Sequence, residues 1–341
     1  MTRTEEFLYH LPESAIAQEA VEPRDTARLL DARTLADGTV GDLPALLDSG
    51  DLLVVNSTRV RAARLRGKRP ATGGSVEVLL LRRTGDGSWE ALCRPARRLH
   101  AGMKVDFGRI KGEIRSEPVA GVVRLQLHAD EGDVEDLLPS VGSVPLPPYF
   151  HGQLADPERY QTIFAKTVGS AAAPAAGLHF TPRLIDSLAA GGVDVVEIDL
   201  EVGVDTFRPI VAATLADHEM HRERYRVPGP TSVRIAEARS AGARVVAVGT
   251  TVVRALESAV DPGGMVASGP GETDLFIVPG HPFRAVDAVL TNFHAPGTTL
   301  IVLIAAMLGE RWRQAYATAL ERGYRFLSFG DAMFIDGVRA R

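Results

Sequence analysis

Between Gly74 and Ala129 the chain leaves no room for a convincing helix. SVEVLLLRR, WEALCRP, MKVDFGRI, GEIRSE and GVVRLQLHA follow one another. Each is short and shows partial alternation or β-branched enrichment, the mark of half-buried strands. TGDGS and RLHAGM punctuate the gaps with turn formers. Consecutive short strands without crossover helices close on themselves, so this region is expected to be a small antiparallel barrel or sandwich. GSVPLPPYF then stiffens the exit, because proline fixes φ and donates no hydrogen bond.

On the far side of the prolines the period lengthens. Residues 181–190 read as a helix with a Thr-Pro start and a Gly191-Gly192 stop. VDVVEIDLEV reads as a strand, SVRIAEARSA as a helix capped by Thr231, ARVVAVG as a strand, and TTVVRALESAV as a helix. DLFIVP and AVDAVLTNF are further strand candidates, and residues 298–323 are helical in two pieces around Gly309. Strand and helix in alternation mean an α/β domain. DLLVVNSTR, within the first sixty residues, is one more strand ending in polar groups. The expected architecture is therefore an α/β large domain with an inserted small antiparallel β-barrel. The large domain is split over 1–60 and 150–341, and the barrel spans 61–149.

Composition narrows the function classes. The chain has 341 residues, enough for one large domain or two ordinary ones. The single cysteine, Cys93, forms no internal disulfide and fits a reducing compartment. No Cys/His cluster points to structural zinc, so no metal is expected. MTRTEEFLYHLPESA lacks the apolar core of a signal peptide, and TTLIVLIAAMLGE is too short to span a bilayer. A cytoplasmic protein with no membrane partner is expected. The formal net charge of −5 argues against a general nucleic-acid coat. Charge distribution says more than the sum. RVRAARLRGKR carries Arg59, Arg61, Arg64, Arg66, Lys68 and Arg69 with no acid, and RPARRL adds Arg97 and Arg98. The runs are either a solvated rim or a phosphate-contact surface.

Four stretches carry chemistry-bearing side chains. AAPAAGLHFTP places Gly177 and His179 between a small-residue loop, open to close backbone approach, and a capped helix start. In ARVVAVGTTVVRALE a strand ends at Gly249 and Thr250-Thr251 open a helix, the turn at which α/β sheets hold ligands. Arg254 lies on the same helical face and either joins that site or pairs with Glu257. Asp217, His218 and His221 fall together in DHEMHRE. This is not H-E-x-x-H, so hydrogen bonding or positioning is preferred to metal binding. TNFHAPGTT repeats the first logic with Asn292 and His294 before a threonine-capped helix. No G-x-G-x-x-G, P-loop, nucleophile elbow or carboxylate pair specifies the reaction.

These blocks, with RDTARLL, DLLVVNSTRVRAARL, GGSVEVLLL, VPLPPY, ERYQTIFA, DTFRPI, TDLFIVPG and YRFLSFGDAMFI, run in order nearly end to end. Through them the chain resembles the S-adenosylmethionine:tRNA ribosyltransferase-isomerase family of queuosine biosynthesis. The resemblance implies a large α/β domain carrying a small barrel. It implies transfer and isomerisation of the ribosyl part of S-adenosylmethionine onto 7-aminomethyl-7-deazaguanine in tRNA, giving epoxyqueuosine-tRNA, adenine and methionine. S-adenosylmethionine is then a consumed co-substrate, no cofactor is permanently bound, and a monomer is expected. By the same resemblance His179, His218, His221 and His294 are candidate proton carriers, with Asp217 as an orienter and the base unassigned. Thr250, Thr251 and Arg254 fall to the methionine or ribose end, with Gly177 and Asn292 also in the co-substrate site. Asn56 and Arg59 fall at the domain junction. Arg61, Arg64, Arg66, Lys68, Arg69, Arg97 and Arg98 fall to tRNA phosphates.

The chain departs from the family pattern in several places. Ser57 stands in the usual N-D-T-R, Ala175 in P-T-A-G-L-H-F, and Glu201 and Asp205 in L-H-V-G-x-G-T-F. Gly297 and Thr298 stand in P-K-S-T-L. Ser57 and Ala175 remove a carboxylate and a hydroxyl, Glu201 puts an anion where a proton carrier is usual, and Asp205 adds a charge where glycine is usual. Besides the family reaction, these departures leave two alternatives: a divergent member acting on a small-molecule amine, and a non-catalytic RNA-binding protein.

Overall fold

The structure is a computed structural model, and it describes residues 2–152, 154, 156–203 and 208–339. The large sheet contains β1 (Arg28–Asp31), β2 (Asp37–Thr39) and β3 (Leu52–Asn56) from the first sixty residues. A short strand β4 (Thr58–Val60) leads into the barrel strands β5 (Arg64–Lys68), β6 (Ser75–Arg83), β7 (Trp89–Arg94), β8 (Lys104–Asp106), β9 (Ile110–Ile114) and β10 (Val122–Ala129). Helix α1 (Val134–Val141) follows, then β11 (Thr167–Ser170), which pairs in parallel with β4. The α/β part continues with α2 (Pro182–Ala190), β12 (Asp194–Leu200), β13 (Glu223–Val227), α3 (Gly229–Ser240), β14 (Val245–Val248) and α4 (Thr250–Ala259). It ends with β15 (Gly269–Thr273), β16 (Ala288–Asn292), α5 (Thr299–Leu308), α6 (Arg311–Glu321) and β17 (Ala332–Ile335).

The large sheet runs in the order β15-β13-β12-β3-β14-β16-β17-β1-β2. Its centre, β12-β3-β14-β16, is parallel. Parallel strands are covered on both faces, and β3 and β14 show it: Leu52 to Asn56 and Val245 to Val248 are all buried. Alternation assigns the faces. Leu52, Val54, Val245 and Ala247 join α4, α5 and α6 in one core, while Leu53, Val55, Val246 and Val248 join Leu184 and Leu188 of α2 in the other.

The strands β10-β7-β6-β5-β8-β9 form a closed antiparallel barrel, and closure removes the exposed edges such short strands would otherwise leave. On β6 burial alternates, with Val76, Val78 and Leu80 inside. Trp89, Ala91 and Cys93 of β7 fill the same interior. Burial pushes the Cys93 thiol up to about 12, so it packs as an inert small hydrophobe. The fold is thus an α/β large domain carrying an inserted small antiparallel barrel.

Some local expectations differ. DLFIVP forms no strand; the strand lies just before it, at β15, which pairs with β13. Helix α3 begins at Gly229, so Thr231 sits inside it and donates to the Glu197 carbonyl at 2.7 Å instead of capping. After the barrel strands, α1 uses Asp133 as its N-cap, an S/T/D-type start the strand pattern had masked. Among the described residues no helix is long and apolar enough to cross a membrane.

Candidate active site

The carboxyl ends of β3, β14 and β16 meet at one edge of the sheet, where parallel α/β folds bind ligands. A narrow cleft opens there, between residues 173–176, Thr250, Thr251, Asn292, His294 and Leu327. An apolar wall with a few convergent polar groups is the usual form of a small-molecule site. Gly249 precedes α4 with φ 93°, a region that disfavours side chains, and a Cβ there would lie 3.6 Å from Ala176. The glycine lets the threonine-bearing helix start come up close to the alanine wall. The first N–H groups of α4 have no intrahelical acceptor, which leaves a donor-rich end beside the cleft.

Asn56 ties the strands together beneath this edge. Its carboxamide nitrogen donates to the Leu200 carbonyl at 3.1 Å and to Thr251 Oγ1 at 3.4 Å, and its oxygen accepts from the Leu200 and Thr58 N–H groups. Asn56 therefore orients Thr251 from behind. Ser57 donates to the Ile198 carbonyl at 3.0 Å and is buried, so the departure at this position is absorbed as a strand-to-strand tie.

The histidines divide into two settings. His294 lines the cleft; its Nε2 lies 3.0 Å from Thr291 Oγ1, and its backbone is held by Tyr9 and Tyr316. Burial lowers its pKa to about 3. His179 ends the 3-10 turn Ala175–His179 and stands behind Asn292, with Nε2 3.2 Å from the Asn292 amide nitrogen. Burial lowers its pKa to about 4, with smaller opposing effects from Asp331 and Arg325. Both rings are neutral near pH 7. Gly177 packs against Thr162, where a Cβ would meet a methyl at 3.0 Å, so it serves close packing of the loop and not the cleft wall.

His218 and His221 lie on extended chain between a 3-10 turn at Leu215–Asp217 and β13, not on a helix. Asp217 is exposed and accepts from Thr214 at 2.7 Å, closing its own turn. His218 stacks edge-on to Phe276 at 5.1 Å, and burial followed by the neighbouring His221 lowers its pKa. His221 is held by Glu223, Nε2 to Oε1 3.1 Å. Glu223 is 3 % exposed, accepts from the Gly203 N–H at 2.9 Å, and forms an ion pair with Arg254. Burial pushes its carboxyl up, but His221, Arg254 and the Gly203 N–H outweigh that and hold it below the ordinary value. Arg254 therefore pairs with Glu223 and not with Glu257. Glu257 instead accepts from the backbone N–H groups of Arg284, Ala285 and Val286.

Glu223 was passed over in the sequence, although the signal existed. It sits two residues from His221, and on an extended chain that spacing puts both side chains on one face. With Glu201 and the barrel residues Arg82 and Glu90, this group lines a side cleft between barrel and sheet. Val202 lines both clefts, so the two adjoin. Asp205 lies outside the described residues.

The basic run divides as well. Arg61 bonds Glu135 and the Gly169 carbonyl and lies over Trp89, so it fastens the barrel to the rest of the chain. Arg59 is paired with Glu158, and Arg64 lies 3.9 Å from Glu77. Arg66, Lys68 and Arg69 line an open hollow on the barrel with Arg94. Arg66 is highly exposed despite its contact with Glu77, and Arg97 and Arg98 are exposed on the turn after β7.

The fold and site define a class: an α/β protein with an inserted barrel, a narrow cleft at its strand ends, and a basic face on the barrel. Its relatives narrow this further. The family model described as queuosine biosynthesis protein matches residues 4–335, and the chain belongs to that family. It is 47% identical over 340 residues to the S-adenosylmethionine:tRNA ribosyltransferase-isomerase of Moorella thermoacetica, covering 98% of this chain and 99% of that protein. It is equally 47% identical, over 341 residues, to the enzyme of the same name from Symbiobacterium thermophilum, with 98% and 99% covered. The crystal structure of S-adenosylmethionine tRNA ribosyltransferase from Thermotoga maritima is similar at 34% identity and TM-score 0.54, covering 97% of this chain and 99% of that one. Among the described residues no group of three or more metal-ligating side chains stands together.

Proposed function

We propose that the chain is an S-adenosylmethionine-dependent tRNA ribosyltransferase-isomerase. It transfers and isomerises the ribosyl moiety of S-adenosylmethionine onto 7-aminomethyl-7-deazaguanine in tRNA, giving epoxyqueuosine-tRNA with release of adenine and methionine. The observation that carries this reading is the full-length 47% identity to enzymes of that name. No finding favours a free small-molecule acceptor or a role limited to RNA binding.

S-adenosylmethionine is read as the consumed donor, seated at the α4 start with Thr250, Thr251 and Asn292. The sulfonium acidifies the neighbouring C5′–H and a base removes that proton; adenine leaves, the neutral amine of the acceptor bonds to the ribosyl chain and loses its own proton, and the C5′–S bond breaks to release methionine. His221 is the proton carrier best supported, because Glu223 orients its ring and the side cleft adjoins the main one. His294 and His179 act as neutral hydrogen-bonding groups. The exposed cations Arg66, Lys68, Arg97 and Arg98 hold tRNA phosphates, positioning the acceptor base without reading its sequence.

Incubation with S-adenosylmethionine and tRNA bearing 7-aminomethyl-7-deazaguanine tests the proposal. Adenine release together with epoxyqueuosine in the digested tRNA, identified by mass, is the expected result. Folded protein that releases no adenine overturns it.

A further inference from the structure

Asn292 is 3 % exposed at the end of β16 and lines the main cleft. Its amide nitrogen has two acceptors, the Leu327 carbonyl at 3.2 Å and His179 Nε2 at 3.2 Å. Its oxygen, Oδ1, is buried and has no hydrogen-bond partner in the protein. A buried acceptor left unmet is unfavourable, and native structures rarely keep one without a reason. Turning the amide over does not relieve it. The flip would set Oδ1 against the Leu327 carbonyl, which can only accept, and would need the His179 ring to change tautomer.

The two acceptors are themselves held. Leu327 has φ 71°, a left-handed conformation uncommon for leucine, and its N–H donates to the Phe293 carbonyl at 3.0 Å. The Asn292 amide can only donate to His179 Nε2, so that nitrogen is the accepting one and the ring proton sits on Nδ1. The remaining polar side chains of the wall are mainly hydroxyls of Thr250, Thr251, Thr291, Thr298 and Ser328, which donate or accept as required. Asn292 Oδ1 is an obligate acceptor, and the cleft that Asn292 lines is walled elsewhere by alanines, Pro174 and Leu327. Its complement is an N–H on a flat, largely apolar ring.

We propose that His179 is a positioning residue that locks the Asn292 carboxamide, so that Oδ1 accepts from the exocyclic amine of an adenine base. The inference rests on the reading of S-adenosylmethionine as donor. Replacing that amine by a carbonyl, as in the inosyl counterpart, sets oxygen against oxygen and leaves the locked amide no way to adapt.

Equilibrium binding of S-adenosylmethionine and its deaminated inosyl counterpart to the full chain tests this. The wild type is expected to prefer the adenosyl ligand by about tenfold or more, the discrimination of an unmet buried hydrogen bond. His179→Phe removes one of the two acceptors that hold the amide and is expected to lower that ratio several-fold. His179→Gln, whose side-chain oxygen can still accept, is expected to restore much of it. Asn292→Leu is expected to abolish the preference if His179→Phe does not fold. Equal binding of the two ligands by wild type overturns the inference while leaving S-adenosylmethionine as donor. An unchanged ratio in folded His179→Phe overturns the positioning role. Weakened affinity for acceptor tRNA with an unchanged ratio in Asn292→Leu assigns the oxygen to the acceptor base and overturns the adenine assignment. No binding of either ligand overturns both readings.

Discussion

Arg66 on the barrel keeps 76% of its side chain in solvent, whereas Asn292 on the cleft floor keeps 3% of its surface exposed. The barrel face gathers charge loosely, in water, where exposed cations are screened within about 10 Å at moderate salt. The main cleft holds few charges and fixes its polar groups by neighbours, Asn56 behind Thr251 and His179 behind Asn292, while in the adjoining side cleft Glu223 holds His221 and pairs with Arg254. Loose charge suits a long polyanion whose sequence is not read. Fixed hydrogen-bonding groups in an apolar wall suit a small ligand whose edges are read.

The sharpest break in that contrast is expected at Glu223. Glu223→Leu leaves the buried Arg254 cation without its counter-charge, and removing one partner of a buried pair is destabilising by about 3–5 kcal/mol. The urea unfolding midpoint measures it; a variant as stable as wild type would mean that Arg254 reaches water. Next comes pH. His179 and His294 titrate at about 4 and about 3 in the folded chain, against an ordinary histidine value of 6.5. The unfolded chain therefore binds protons first, so their contribution is complete above 6.5 and falls as pH drops toward the folded values. Stability should fall by on the order of 2 kcal/mol per ring by about pH 5, before most carboxylates protonate. Urea midpoints across that range test it, and a flat profile would place both rings in contact with water.

The barrel should respond differently. Arg66→Glu with Lys68→Glu is expected to weaken tRNA binding about tenfold at low salt and to flatten its salt dependence. S-adenosylmethionine binding should not change. A loss of both, measured in the same preparation, would join two regions that the fold keeps apart. The smallest effect is expected at Thr251. Thr251→Val removes one neutral hydroxyl from the cleft and should weaken S-adenosylmethionine about fivefold, near 1 kcal/mol, with tRNA binding intact. Calorimetric titration of both ligands decides it.

Much of the fold was legible because it depends on local periodicity. The alternation of β6, the all-apolar β14 and the Thr181-Pro182 start with its Gly191 stop each declare themselves within ten residues. Which of the candidate residues come together was legible in part, but not their wiring. Thr250, Thr251, Asn292 and His294 do come to one cleft. His179 stands behind it, Gly177 serves packing, Arg61 fastens the barrel, and Asp217 closes its own turn. Arg254 was read as joining the threonine site or pairing with Glu257, and the partner it takes, Glu223, is 31 residues away in sequence.

By itself, then, the sequence determined the elements, the inserted barrel and the family, because hydrophobic period, turn residues and long ordered motif blocks are written in neighbouring positions. Only the tertiary structure decided which polar groups face the cleft and which face each other. A side chain's protonation and orientation depend on burial and on partners brought in from distant strands, and nothing within a few residues of His179 reveals that Asn292, 113 positions on, will take its lone pair.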